Sequence, residues 1–324
     1  MSRQIDRLSV LLIALSASLW ATDAYFRSAL LGHLSPSQIV LGEDLLVTVA
    51  LAPLLWARRA ELRRLGGRGW LAAAIVGVGP QAIATILFTA SFAYRSFAVT
   101  YVLQQTQPLI AVVLAGLLLG ERRGAWYWAG LAVALGGVYL VVFAPDVGAP
   151  LAGLPTARVA AGGLALGAAA LWALGTVLGR YLVTRVSFPT MTSLRVTLAL
   201  PVLVAAVSAG QGLGALAAYR VGELPGFLGL ALIPGLLALL LYYRALSATP
   251  ASLSIIAEMA FPVTATLIAS APPPFGFGQA LYPGQLAGTG LLLLAIVVAN
   301  RGKFAGWVRT GQPAAAEPVA SPPA

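Results

Sequence analysis

The sequence predicts an all-α, polytopic membrane protein. Hydrophobic residues make up 59% of its 324 positions, charged residues only 9%, and the mean hydropathy is +0.89. A soluble protein of this length would need a far more polar surface, so this composition is typical of multi-span membrane proteins. Apolar windows long enough to cross a hydrocarbon layer of about 30 Å recur along the chain, and this recurrence is the second observation that predicts the class.

The apolar windows predict ten transmembrane helices. They lie at about 8–31, 36–57, 70–93, 97–119, 125–144, 159–183, 187–209, 224–246, 250–271 and 280–300. The first follows Arg3 and Arg7 like a secretory signal, but its apolar run continues to Leu31, so we expect it to be retained. The segment 301–324 is rich in proline, alanine and glycine, and we expect a disordered tail.

Basic residues predict how the helices are oriented. With ten spans both termini share one side, and most of the basic residues considered fall on that side. They are Arg3, Arg7, the cluster from Arg58 to Arg68, Arg122, Arg123, Arg180, Arg185, Arg244, Arg301, Lys303 and Arg309. The opposite side carries chiefly Arg95, Arg158 and Arg220. The positive-inside rule therefore predicts cytoplasmic termini in a plasma (inner) membrane protein.

The same charge pattern excludes other classes. A net charge of +10 suits nucleic-acid binding in principle, but the arginines form short clusters between apolar blocks and no basic face long enough to follow a duplex. Cysteine is absent and His33 is the single histidine, which excludes disulfides and metal or haem sites that depend on those residues. No cofactor and no metal is predicted.

The second half of the chain repeats the first. "ASLWA" at 17–21 matches "AALWA" at 169–173 with an offset of 152. Two prolines match two others with an offset of 154: Pro80 with Pro234, and Pro108 with Pro262. The matches predict two five-helix units, 1–148 and 149–300. Because five is odd, the second unit enters from the opposite face, an arrangement found in secondary transporters.

These repeated features resemble a known family. A stretch of small residues, an apolar helix with an internal proline and "LLLGERR" at 117–123 are similar to the EamA-type drug/metabolite transporter superfamily. The resemblance covers nearly all of 8–300. It implies a central cavity surrounded by helices one to four and six to nine, and it implies export of amino acids, other metabolites or drugs, with some members importing. The second half departs from the pattern with "APPPFGFG" at 271–278, so Glu121 is expected to be structural.

Charged side chains at membrane depth are the main candidates for coupling or gating, because they are costly unless they face a cavity or a partner. Asp23 and Arg27 are four residues apart and can pair on one helix face. Asp23 also reaches the depth of Glu43 and Asp44. Such crowded carboxylates favour keeping a proton, so protons are a candidate coupling ion, with a solvated vestibule as the alternative.

A second charged pair is expected deeper in the other half. Arg195 and Glu258 each lie eight residues into a predicted span, about 12 Å from the cytoplasmic side. We expect them to pair, either at the substrate or only to fix two helices together. The repeat relates Arg195 to Glu43 and Glu258 to Gln104, which predicts polar pairs at opposite ends of the cavity.

Aromatic and amide side chains complete the expected substrate site. Trp20 and Trp172 are repeat-related and lie at mid-depth, where they predict an aromatic wall or lipid-facing packing. Four further polar candidates are Gln81, Tyr101, Gln104 and Gln105, for which interhelical hydrogen bonds are the alternative role.

The sequence thus predicts a secondary transporter of small organic metabolites, working by alternating access. A cavity with tryptophan, amides and charges of both signs favours amino acids or related zwitterions as the solute, and the family resemblance implies export. The alternatives are export of drugs or other metabolites, import by the same fold, or a membrane-embedded enzyme on a lipid-linked substrate. No catalytic constellation supports the enzyme. The predicted partners are the solute, the lipid bilayer and protons, with no nucleic acid.

Overall fold

The computed structural model describes residues 2–119, 125–143, 156–183, 185–246 and 260–299, and every regular element within those ranges is helical. The all-α prediction is therefore confirmed for this part of the chain. The α-helices are α1 (Ser2–Ala21), α2 (Asp23–Leu30), α3 (Pro36–Ala57), α4 (Gly66–Val76), α5 (Ala84–Phe92), α6 (Phe97–Gln104), α7 (Gln107–Leu119), α8 (Ala125–Phe143), α9 (Thr156–Val183), α10 (Phe188–Gln211), α11 (Leu224–Leu230), α12 (Ala238–Leu246), α13 (Ala260–Ser270) and α14 (Pro283–Ala299).

Other helical forms connect some of these helices. Short 3₁₀ helices occur at Arg59–Arg64, Leu213–Ala217 and Val221–Glu223. The first π segment, Gly77–Ile83, joins α4 to α5, and the second π segment, Ala231–Leu237, joins α11 to α12.

Within the described ranges, five helices are long and apolar enough to cross a membrane by length and composition. They are Pro36–Ala57, Gly66–Phe92, Thr156–Gly179, Phe188–Gln211 and Val221–Tyr242. This number of apolar helices in one chain is that of a polytopic membrane protein. The predicted tail, 301–324, and Glu121 lie outside the described residues.

The predicted first span is broken at Thr22, between α1 and α2. Tyr101 of α6 supports this break with its hydroxyl group, which donates to the backbone oxygen of Ala21 (2.6 Å) and accepts from the amide of Ala24 (3.1 Å). The side chain is 1% exposed. Backbone groups that lose their helical hydrogen bonds in an apolar environment need new partners, and Tyr101 provides them at this break.

Proline explains the first π segment. Pro80 cannot donate a backbone hydrogen bond and its ring crowds the preceding turn, so the helix widens there. Two glycines let neighbouring helices approach the widened turn. A Cβ on Gly77 would lie 2.7 Å from the Cβ of Leu198 in α10, and one on Gly175 of α9 would lie 2.7 Å from Pro80. The segment is therefore tightly packed between α9 and α10.

Helices α3 and α10 pack against each other as an antiparallel pair. One of its ends is fastened by Glu61, whose carboxylate accepts from the amide of Ser187 (2.7 Å) and the hydroxyl of Thr190 (2.9 Å) at the start of α10. Arg58 donates to the Ser187 hydroxyl (2.9 Å) and lies 3.4 Å from Glu61. The hydrogen bonds from Ser187 lower the pKa of Glu61 to about 2.

The opposite end of the pair is fastened by neutral groups. Ser35 donates to the side-chain oxygen of Gln211 (3.1 Å), and the Gln38 amide donates to the backbone oxygen of Ala215 (3.0 Å). Tyr219 donates to the backbone oxygen of Gln38 (2.9 Å). Both ends of α3–α10 are therefore closed in the same structure.

The first prediction concerns the broken helix. Tyr101→Phe should lower the free energy of unfolding by about 1–3 kcal/mol, because it leaves buried backbone groups without a partner. Thermal unfolding in detergent checks this, with the half-exposed Tyr25→Phe as the control. Equal melting temperatures for the two variants would show that the hydroxyl does not support the break.

The second prediction concerns Glu61. Its pKa of about 2 is below the ordinary value of 4.5, so its ionised form contributes stability above pH 4.5 that is lost as the pH falls towards 2. Glu61→Gln should melt at a lower temperature than the unmodified protein, by a constant difference from pH 8 to 5 that shrinks below pH 4.5. The exposed Arg63→Gln serves as control. A difference independent of pH down to 3 would contradict the assignment.

Candidate substrate and coupling site

Arg27 is the centre of a buried charged cluster. Its Nε lies 2.6 Å from Oδ1 of Asp23, and its Nη2 lies 2.6 Å from Oε2 of Glu43. Its Nη1 donates to the hydroxyl of Thr89 (2.9 Å), which itself donates to a backbone oxygen one turn earlier in α5. The arginine side chain is 3% exposed. The predicted Asp23–Arg27 pair is confirmed, and Glu43 lies at the same depth as expected.

Gln81 links a second pair of charges. Its amide nitrogen donates to Oδ1 of Asp44 (2.9 Å), and its amide oxygen accepts from Nε of Arg195 (2.7 Å). Gln81 follows Pro80 in the first π segment, so the widened turn carries the residue that bridges α3 and α10. An amide has one donor and one acceptor side and therefore fits between a carboxylate and a guanidinium group.

The two clusters are continuous because Glu43 and Asp44 are consecutive in α3. Asp44 lies about 13 Å along α3 from Ser35, and Arg195 about 12 Å along the antiparallel α10 from Ser187, at 1.5 Å per residue. The Gln81 side chain bridges the two depths, because it forms hydrogen bonds to both Asp44 and Arg195. The prediction placed Glu43 and Arg195 at opposite ends of the cavity; the structure joins those two depths by hydrogen bonds. Glu258 lies outside the described residues, so its pairing with Arg195 stays a prediction.

In the described network, acidic side chains outnumber basic ones. It contains the carboxylates of Asp23, Glu43 and Asp44 but the guanidinium groups of only Arg27 and Arg195. Among the residues that the structure describes, Oδ2 of Asp44 is buried without a hydrogen-bond partner, and so is the hydroxyl of Thr48, one turn further along α3. A buried carboxylate oxygen without a partner can accept a proton or another positively charged group.

The tryptophans predicted to form an aromatic wall are both partly buried. Trp20 packs against Tyr242, with ring centroids 5.1 Å apart, and Trp172 packs against Phe88 at 5.0 Å. Trp172 thereby adjoins a cluster of rings that also includes Tyr101. Each half of the chain thus contributes one tryptophan with an incompletely covered ring.

Tyr101, Gln104 and Gln105, the residues of the predicted polar stripe, have different surroundings in the structure. Tyr101 uses its hydroxyl for the α1–α2 break, so that group is already occupied. Gln104 ends α6 and Gln105 lies in the turn before α7, and both are partly buried. Gln104 donates to the side-chain oxygen of Gln107 (3.0 Å), whose own amide donates to Thr176 of α9 (3.5 Å).

Sequence reasoning missed three of these contact residues. Thr89 gave no signal, since an isolated threonine in an apolar helix is common. Gln107 stood in the same polar stretch as Gln104 and Gln105, and its position before a proline could have identified it. Thr176 follows Trp172 by one helical turn, which places it beside a residue that was already a candidate.

A groove of about 380 Å³ lies beside the network but does not contain it. The groove is almost wholly apolar and is formed by residues of α3, α10, α12 and the second π segment. They are Leu51, Leu54, Phe188, Pro189, Thr192, Leu236, Leu239 and Leu240. None of the predicted site residues in the described ranges lines it, so the polar network remains the candidate site.

The comparisons with known proteins decide the class. Residues 7–143 and 161–301 match the sequence model of the EamA-like transporter family. The chain belongs to this family. It is therefore a multi-pass membrane protein that transports small molecules and not an enzyme, and the superfamily resemblance is confirmed.

This family member is similar to one named transporter and to one solved structure. The "Riboflavin transporter ImpX" of Fusobacterium nucleatum subsp. nucleatum is 27% identical over 298 residues, which are 89% of this chain and 95% of that protein. A solved structure named only "Crystal structure of protein" has a TM-score of 0.56 and 21% identity, covering 90% of this chain and 96% of that one. At this identity the solved structure establishes only a shared fold.

The third prediction tests the charged centre of this EamA-like transporter. Arg27→Met should destabilise it by about 3–5 kcal/mol, because two buried carboxylates lose their partner. The double variant Arg27→Met/Glu43→Gln should recover part of that loss, since one uncompensated charge is removed as well. Thermal unfolding in detergent measures both, and the exposed Arg68→Met is the control. A double variant less stable than Arg27→Met alone would contradict the pairing.

Proposed function

We propose that this EamA-like transporter carries a small organic solute by alternating access between two inverted five-helix repeats, 1–148 and 149–300, with ten helices around a central cavity. The family model matches the chain twice, once in each half, which supports the repeat. So do the two π segments. Each is seven residues long and contains one proline, Pro80 or Pro234, 154 positions apart.

Helix packing supports the same repeat. α1 packs against α12 and α13, whereas α9 packs against α5, α6 and α7. α3 packs against α10, and α8 against α14. A two-fold relation between the halves would convert the contacts of α1 into those of α9. It would map the pairs α3–α10 and α8–α14 each onto itself. The observed pairs follow this rule.

The observation that carries the proposed function is the buried polar network from Asp23 to Arg195. Five ionisable groups inside spanning helices are costly, and transporters keep such groups where a solute or ion passes. The network connects both halves, because Arg195 belongs to the second and the other members to the first. A group bound there contacts both halves of the chain.

We propose a solute with a flat aromatic ring and polar edges, with riboflavin as the first candidate. The partly covered rings of Trp20 and Trp172 offer stacking surfaces, and Gln104, Gln105 and Gln107 offer amides for polar edge groups. The name of the Fusobacterium relative supports this choice. Export of amino acids stays a second candidate, because Asp44 and Arg195 suit a zwitterion.

We further propose proton coupling and cytoplasmic termini in the plasma membrane. The excess of acidic over basic side chains in the described network and the unpartnered Oδ2 of Asp44 support uptake of a proton there. The orientation rests on the distribution of arginines between the two sides. Efflux is the direction that we expect.

The fourth prediction tests substrate and coupling together. In proteoliposomes we expect flux of labelled riboflavin that Asp44→Asn lowers by about tenfold or more, a loss of at least 1.4 kcal/mol in transition-state terms. Asparagine keeps the acceptor for Gln81 and removes only the charge. Glu223→Gln makes the same carboxylate-to-amide change outside the network and should transport normally. The melting temperature of each variant, compared with that of the unmodified protein, verifies that the variant is folded.

The same vesicles distinguish the alternatives. Flux of labelled amino acids without riboflavin would favour the second candidate. Folded protein that moves neither, nor any member of a drug and metabolite panel, would contradict the proposed substrates. Transport that is indifferent to a proton uncoupler and to an imposed pH gradient would rule out coupling while leaving the transporter class intact.

A further inference from the structure

The α3–α10 pair is bonded at both ends in one and the same structure. At one end Glu61 holds the start of α10 through Ser187 and Thr190. At the other end Gln211 and Ala215 hold the start of α3. Each helix start is thus held by the segment that follows the other helix.

The two fastenings are related by the repeat. Ser35 and Ser187 both occupy the residue before the first turn of their helix, and they are 152 positions apart. Gln38 and Thr190 have the same separation and the same role, each contacting the segment beyond the other helix. The chemistry differs, because one end uses an ionised carboxylate and the other only neutral groups.

The interior between the fastenings is closed as well. Val40 and Leu41 of α3 are buried with Ala199 and Leu203 of α10 in one apolar cluster. Over their 22 and 24 residues both helices are continuous. By contrast, the chain is broken between α1 and α2 and again between α6 and α7, positions where backbone angles change most easily.

We propose that α3 and α10 are the stationary axis of the transport cycle and that the other helices move around them. This rests on the proposed alternating access. In such a cycle the gate contacts break and re-form, whereas α3 and α10 are held at both ends by repeat-related fastenings and packed between them through one apolar cluster, which we assign to the axis. The axis also keeps Asp44 and Arg195 at a fixed spacing, bridged by Gln81.

The charge of Glu61 indicates that its contact with the start of α10 is permanent and is not released by protonation. Glu61 lies outside the spans, and with a pKa of about 2 it stays ionised throughout the physiological range. Protonation therefore does not release this end of the pair during transport.

In this proposal the moving contacts lie between α1 and α13 and between α7 and α9. α1 meets α13 through a hydrogen bond from Thr264 to Ser18 (3.0 Å), and α7 meets α9 through the 3.5 Å contact between Gln107 and Thr176. These contacts join small or flexible polar side chains of helices outside the axis. They are the contacts that a change of shape would break.

The chain contains no cysteine, so the test needs no background substitutions. Three double-cysteine variants are made: Ser35→Cys/Gln211→Cys and Glu61→Cys/Ser187→Cys at the two ends of the axis, and Ser18→Cys/Thr264→Cys between α1 and α13. Each is reconstituted, joined with a short bifunctional thiol reagent, and compared with its own unlinked sample for flux of labelled riboflavin. Where riboflavin is not carried, the panel member that is carried replaces it.

Linking either end of α3–α10 should leave flux unchanged, whereas linking α1 to α13 should lower it by about tenfold or more, because gating is then blocked. Loss of flux on linking either end of the axis would overturn the proposal. So would full flux through the linked Ser18/Thr264 variant. Failure of the unmodified protein to carry any member of the panel would instead contradict the proposed function, which separates the two failures.

Discussion

The low polarity of the membrane interior is the constraint on which the rest of this structure depends, and Arg27 shows it most clearly. A buried guanidinium group must be matched by carboxylates and hydrogen-bond acceptors, because hydrocarbon offers it no solvation. Arg27 therefore draws together Asp23 of its own helix, Glu43 of α3 and Thr89 of α5. Three elements are positioned by one side chain.

The same constraint acts on the backbone. The chain breaks at Thr22 between α1 and α2, and the freed backbone groups are taken up by Tyr101. In the third span Pro80 prevents a regular turn, and the π segment that results directs Gln81 between Asp44 and Arg195. Irregular backbone thus occurs where a side chain or a neighbouring helix satisfies it, and both sites adjoin the polar network.

Individual residues show how far sequence reasoning reached. The pairing of Asp23 with Arg27 followed from their spacing of four residues, since such residues share a helix face. Gln81 was recognised as polar and mid-helical beside Pro80, but its partner Arg195 is 114 positions away in sequence and no local rule could identify it. Tyr101 was a candidate either for the solute or for an interhelical hydrogen bond, and its hydroxyl bonds the backbone of α1 and α2. The pairing of Arg195 with Glu258 stays a prediction.

The sequence by itself determined the membrane class, the positions of the described spans to within a few residues and the identity of the charged side chains at membrane depth. These follow from hydropathy, helical period and rise, which are properties of short segments. Only the tertiary structure decided that Glu43 and Asp44 join two clusters into one network, and that α3 and α10 are fastened at both ends. Those contacts depend on how helices far apart in sequence approach one another. That approach is set by small residues such as Gly77 and Gly175, whose effect on distance no local pattern records.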